Sequence, residues 1–284
     1  MVSDPKGGGR ERSESVDDMM EEKKHIMVKV IAFFAFILVW HLLVICARGS
    51  TFLMRYRLHE IPTPIEAVEA LARNFLSEEM GSTFEAGIGI NSLMSIRRVL
   101  IGFAIACALG VATGLAMGYL KYGTDVGGTL IEILRPIPPL AWIPIAIMVF
   151  RESAPLFIVF LGCFFPIVLN TTSGVKSVDI KLIEAAKTLG ARPLHLVSKV
   201  VLPWSLPSIV TGMRIGLGIG WMSVVAAEMV GVEHGLGLGA AIWGSYINGD
   251  IDLVVAGMMM IGLIGWIMNF SIEYMERNLL KWRG

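Results

Sequence analysis

The residues that could do chemistry in this chain of 284 lie inside or between long apolar runs. Arg214 stands about two helical turns into one such run, and Glu228 stands near its far end. An ionisable side chain at mid-membrane costs roughly 2.5–3.5 kcal/mol on insertion scales, so each is a functional candidate by default. Arg214 would either attract an anionic cargo along an inner vestibule, or snorkel and pair with a neighbouring polar segment. Glu228 has the wrong sign to hold an anion. Its expected partner is Arg97 or Arg98, and such a pair would make a structural or gating clamp. Asn170-Thr171-Thr172-Ser173 is a polar run ending an apolar stretch, suited either to lining a pathway or to satisfying the last carbonyls of a helix. Trp142, Trp221 and Ser223 complete the lining candidates.

Other chemistries have no residues to carry them. No Gly-x-x-x-x-Gly-Lys-Ser/Thr loop occurs, so the sequence has no phosphate cradle. Gly235-Leu-Gly-Leu-Gly239 lacks the dinucleotide fingerprint and reads as a flexible outer turn. The five histidines are scattered without metal-ligand spacing, and there is no nucleophile elbow. Cys46, Cys107 and Cys163 fall in apolar stretches and read as packing residues. An enzyme is not expected, nor a cofactor or metal held by this chain.

The elements that must position the candidates are membrane spans. Hydrophobic residues make up 55% and charged ones 17%, with a mean hydropathy of +0.68. Soluble domains run at roughly 45–50% and about 25%. The formal net charge of zero argues against a nucleic-acid partner. Runs of about 20 apolar residues predict six spans, at 26–47, 99–120, 130–150, 155–173, 207–230 and 253–272. Residues 1–25 read as a disordered cytosolic tail, and 26–284 as one membrane domain. Pro136, Pro138, Pro139 and Pro144 in the third span and Pro166 in the fourth predict helices that kink or begin late. Broken backbone is tolerated at membrane depth where protein or a wet cavity surrounds it. Those prolines therefore mark either a pathway or simple kinked packing. Gly110, Gly114 and Gly118, and again Gly212, Gly216 and Gly220, form close-packing faces.

With the N-terminus inside, both termini are cytosolic and the inner segments hold two thirds of the Lys and Arg residues. The six arginines between 48 and 98 fall outside, against the trend. That segment contains a capping box with proline at the first helical position, Thr63-Pro64-Ile65-Glu66, and predicts an amphipathic helix over 62–78.

Between the fourth and fifth spans lies a polar island, the loop 174–206. Asp179 can cap a short helix, Gly190 can end it in a left-handed conformation, and Pro193 suits the first turn of the next helix. Ala185 and Ala186 are small enough for a helix to enter a groove on a partner. Glu184 offers a charged contact, and Leu189 and Ala191 flank the turn at Gly190.

The same island carries a family resemblance. Glu184-Ala185-Ala186, Gly190 four positions on, and Leu202-Pro203 twelve beyond the glycine resemble the EAA motif. That motif is the cytoplasmic signature of permease subunits of binding-protein-dependent ABC importers. The run Arg135 to Pro144, the segment Thr211 to Gly216, and Val225-Ala226-Ala227-Glu228 resemble the nitrate/sulfonate/taurine/bicarbonate branch. The likeness runs from about Pro62 to the C-terminus. It implies an all-α type I ABC importer permease fold in the cell membrane, working as a homodimer among lipid. Two cytosolic ATPase subunits would carry ATP and Mg and dock at the islands, and a solute-binding protein would deliver cargo outside. A small anion is implied, with sulfonate or taurine ahead of nitrate or bicarbonate. The rival class is a stand-alone secondary transporter, which would need symmetry between halves and a coupling acid within the membrane.

Overall fold

A computed structural model describes residues 7–49, 58–75, 87–120, 122–231 and 236–279. The chain forms two compact units, residues 1–69 and 70–284.

The first unit is built on helix α1, Gly7–Gly49. The segment expected to be a disordered tail is thus helical from Gly7 onward, and residues 1–6 lie outside the described residues. Glu, Lys, Arg and Met are good helix formers, and a helix nucleated in the apolar run extends into them cheaply. From Met27 the helix is long and apolar enough to span a membrane. Phe33, Phe34, Phe36 and Leu43 are all exposed in the unit, as suits a helix whose solvent is lipid. After a 3₁₀ turn at Leu58–Glu60, helix α2 (Pro64–Asn74) begins on the expected capping box. The Thr63 N–H donates to Glu66 at 2.7 Å, and the Glu66 N–H donates to the Thr63 hydroxyl at 3.4 Å. Arg48 grips the same carboxylate at 2.7 and 2.9 Å. The Arg48 guanidinium, with the Thr63 N–H, holds the Glu66 carboxyl down at about 2.

In the second unit α3 (Gly87–Tyr119) is the expected second span, but it starts twelve residues before it. Asn91 and Ser92 enter its first turns by donating to carbonyls four residues back. The third span is a broken path: a π-turn at Thr124–Gly128, α4 (Thr129–Leu134), a non-helical stretch at 135–138, a 3₁₀ turn at Pro139–Trp142, and α5 (Ile143–Phe150). The prolines break it as expected. Helix α6 (Ala154–Lys176), by contrast, runs uninterrupted through Pro166. There follow α7 (Ile180–Thr188), α8 (Pro193–Leu196), a π-turn at Val197–Val201 and α9 (Leu202–Gly231). The chain closes with α10 (Leu238–Asn248) and α11 (Ile251–Leu279).

Five stretches among the described residues are long and apolar enough to cross a membrane, against six expected. The third and fourth expected spans share one of them, Pro139–Lys176, which turns back on itself at Arg151. There φ is 49° and ψ −119°. Beyond the turn Phe150 stacks on Phe157 at 4.6 Å, and Ala146 is buried in one cluster with Ile158. Farther back Ile131 meets Val168, so the broken path runs antiparallel to α6.

Helix α6 is the centre of this unit. On one side a Cβ added at Gly114 of α3 would strike Thr171 and the Val168 carbonyl. On the other a Cβ at Gly216 of α9 would strike the Cys163 backbone. The two glycine faces bring three backbones into contact, which dispersion alone can hold in lipid. Val99, Ala106, Val159, Cys163, Ile167 and Val224 form the buried core between them.

Candidate functional site

The island folds by local rules. The Asp179 carboxylate accepts the Lys181 N–H at 2.9 Å and caps α7. At the other end the Gly190 N–H donates to the Lys187 carbonyl at 2.9 Å and the Ala191 N–H to the Ala186 carbonyl at 3.0 Å. Those two bonds are a Schellman closure, and they require φ +80° at Gly190. Ile183 packs against Val175, Val178 and Val201 beneath the island. Outward, Glu184 and Ala185 are exposed, and Ala186 and Ala191 are half-buried. Leu189 and Leu194 stand 88% and 83% exposed on either side of the turn. Leu194 gives no signal in the sequence beyond its place after Pro193 in the island.

At the opposite end of α9 lies a dense polar cluster. Glu228 is fully buried. Of its two expected partners the structure selects Arg98, at 2.6 Å. The Ser95 hydroxyl donates to the same carboxylate at 2.8 Å and accepts the Leu238 N–H at 2.9 Å. The Gly239 N–H reaches Glu228 at 3.1 Å, and the Gly237 N–H reaches the Asn91 carboxamide oxygen at 2.7 Å. Arg98 also donates to the Leu236 carbonyl at 2.5 Å. The glycine-rich segment is therefore no free turn over 236–239. A side chain at Gly237 or Gly239 would occupy the volume of Glu228, and Gly237 has φ +153°. Gly235 lies outside the described residues. Asn91 and Ser95 escape a reading of the sequence because nothing in their neighbourhood names a partner more than a hundred residues away.

The lining candidates divide. Asn170 lies on an open groove of about 520 Å³, shared with Arg135, Ser173, Phe165 and Ile215. Its amide donates to the Pro166 carbonyl at 2.9 Å. Thr171 and Thr172 are buried; the Thr172 hydroxyl donates to the Val168 carbonyl at 2.8 Å beside the Gly114 carbonyl of α3, and the Thr171 hydroxyl finds no partner among the described residues. Ser223 is buried beside Gly162. Trp221 is buried with its indole N–H on the Ile261 carbonyl at 3.1 Å. Trp142 is half-buried, and its indole N–H finds no acceptor among the described residues.

Arg214 pairs with α11 rather than with the island. It reaches Asn269 at 3.2 Å, Glu273 at 3.5 Å and Glu276 at 3.7 Å, all on α11. Two carboxylates thus stand beside its guanidinium, and Glu273 also meets Arg277 at 2.8 Å. Among the described residues no cluster of His, Cys, Asp and Glu could hold a metal ion.

Comparison with known proteins agrees with this arrangement. A family model described as "binding-protein-dependent transport system inner membrane component" matches residues 100–282. A protein of Methanocaldococcus jannaschii described as an ABC transporter permease is 41% identical, covering 93% of this chain and 98% of its own. A nitrate import permease protein of Synechocystis is 32% identical over 76% of this chain and 79% of its own. The taurine transport system permease protein of Escherichia coli is 34% identical over 67% and 69%. In fold, the chain superposes on a chain of the MetNI methionine ABC transporter with a TM-score of 0.54 at 20% identity, covering 77% of this chain and 99% of that one.

Proposed function

The chain belongs to the family of binding-protein-dependent transport system inner membrane components, and from that premise we propose that it passes a small anion through an ATP-driven importer. It is the permease subunit of an ABC importer, a membrane transport component and not itself an enzyme. Sulfonate or taurine, nitrate and bicarbonate are the cargoes to consider, since relatives named for nitrate and taurine align over most of the chain. Two copies face each other, two cytosolic ATPase subunits bind ATP and Mg, and a solute-binding protein delivers cargo from outside. Both termini are cytosolic.

One observation carries the ATPase reading. Leu189 and Leu194 are nearly bare on a rigid glycine turn, and Glu184 and Ala185 are exposed on the helix before it. Such apolar exposure on a well-capped polar hairpin marks a binding surface. Helix α7 fills a groove on the ATPase, with Ala185 and Ala186 permitting close approach and Glu184 offering a charged contact. When ATP closes the two ATPase subunits, the islands move and α8 and α9 follow. At the outer end the Glu228–Arg98 cluster fixes the 236–239 segment onto α3 and α9 and forms the outer clamp.

The test is purification from membranes followed by reconstitution with the cognate binding protein. An ATPase subunit should accompany the chain, and its hydrolysis should rise with one of taurine, nitrate or bicarbonate. A chain that transports cargo with no ATPase bound would instead be a stand-alone secondary transporter, and the proposal would fall.

A further inference from the structure

We propose that Arg135 is the charge-selecting residue of the passage, and that the groove it lines takes small oxyanions in transit. The inference rests on the permease reading above and adds to it a residue and a place.

Three observations converge on the groove. First, it is the place where the backbone is broken. Residues 135–138 are non-helical, and Pro136, Pro138 and Pro139 supply no N–H donors. These residues immediately precede the apolar stretch Pro139–Lys176, so the groove opens at the mouth of that stretch. Second, the groove holds an uncommitted cation. Arg98 meets Glu228, and Arg214 meets Glu273 and Glu276. Arg135 forms no ion pair among the described residues, and none of the residues lining the groove is acidic. Third, the groove carries further donors beside that cation. Asn170 uses one amide N–H on the Pro166 carbonyl and its amide carries a second. Ser173 adds a hydroxyl.

The chemistry follows from these groups. A guanidinium cannot be deprotonated in a protein and presents paired N–H donors in a plane, which suits two oxygens of a carboxylate, nitrate or sulfonate. Apolar walls from Phe165, Leu169 and Ile215 keep the local dielectric low, so the field of one cation is focused into the groove. Without an acid nearby the groove draws anions and turns cations away. A single guanidinium with two neutral donors also holds an anion loosely enough to let it leave, which a passage requires.

The experiment uses the full complex in proteoliposomes. Ser173→Cys is exposed to an anionic methanethiosulfonate and, separately, to its cationic trimethylammonium counterpart. Modification is read by peptide mass, so native Cys46, Cys107 and Cys163 stay in place. We expect the anionic reagent to react faster, Arg135→Gln to lower the anionic-to-cationic ratio about tenfold, and Arg135→Lys to keep most of it. A ratio unmoved by Arg135→Gln overturns the proposal. So does failure of both reagents to reach Ser173→Cys, or a ratio that falls as far with Lys as with Gln. In a second arm, uptake of nitrate, bicarbonate and taurine is measured per assembled complex. Arg135→Gln should slow about tenfold whichever is carried, and unchanged uptake overturns the proposal. The labelling arm is repeated on the chain reconstituted alone, so failure to recruit an ATPase sinks the permease reading, while the labelling ratio still decides the role of Arg135.

Discussion

The two ends of the long helix that begins at the island are built on opposite plans. The island at one end is closed by bonds between residues no more than five apart, and it leaves Leu189 and Leu194 bare. The cluster at the other end ties Asn91, Ser95 and Arg98 to residues 130 to 146 positions later, and Glu228 within it is fully buried. One end is a finished local shape waiting for a surface. The other is a closed polar knot that has meaning only within the whole fold. A surface meant for another protein must hold its form alone, whereas a clamp gains strength from being exclusive to its own chain.

That contrast can be broken most sharply at Gly190. Replacing it with valine forces a β-branched residue into a left-handed conformation, although the space around it is empty. ATP-coupled uptake should fall by more than about tenfold, since a strain of roughly 1–2 kcal/mol falls on the docking turn itself. The thermal unfolding of the bundle should hardly move. If stability falls in step with uptake, the island is not a self-sufficient local unit.

Next in size is Glu228→Ala. It leaves Arg98 without its carboxylate and the Gly239 N–H without its acceptor, and should destabilise this end of α9 by about 3–5 kcal/mol. Hydrogen exchange at Gly237–Gly239 would show the loss directly. Swapping the charges between positions 98 and 228 should not rescue it, because the Ser95 hydroxyl and the Gly239 N–H also need a carboxylate at 228. Full rescue by the swap would reduce the cluster to a simple ion pair.

A smaller effect is expected from Gly114→Val, which overpacks the α3–α6 contact at Thr171 and should cost about 1–3 kcal/mol by thermal unfolding. The smallest concerns Glu66. Its carboxyl is held at about 2 in the folded chain against an ordinary value of 4.5, so the contribution is whole above pH 4.5 and fades as pH falls toward 2. The pair is 41% and 40% exposed, so salt screens it and the loss should stay under about 1 kcal/mol. A pH titration of α2 helicity at two salt concentrations would check both sign and size.

How much of the fold is legible in the sequence follows from the same contrast. Asp179, Gly190 and Pro193 announce the island because capping and turn chemistry act over a few residues. The prolines of the third span likewise announce its break, and Gly110–Gly118 and Gly212–Gly220 announce the close faces. The turn at Arg151 falls between the third and fourth expected spans, and the two share one apolar stretch because only a short 3₁₀ turn parts their helices. The start of α3 is hidden by Asn91 and Ser95, polar residues that read as loop until their distant partners are known. Gly237 and Gly239 look like slack in the sequence, while in the fold they make room for a carboxylate. Arg135 reads in the sequence as one member of a motif, and only the fold puts it on one groove with Asn170 and Ser173.

The outer knot also has a history in time. During synthesis Arg98 emerges 130 residues before Glu228, an interval on the order of ten seconds at ordinary rates of chain growth. Through that interval the Arg98 guanidinium and the Asn91 carboxamide oxygen lack their distant partners. They are answered only when Glu228 and then Gly237 have been added. A chain cut short before Glu228 would keep that cation without its carboxylate at the start of α3.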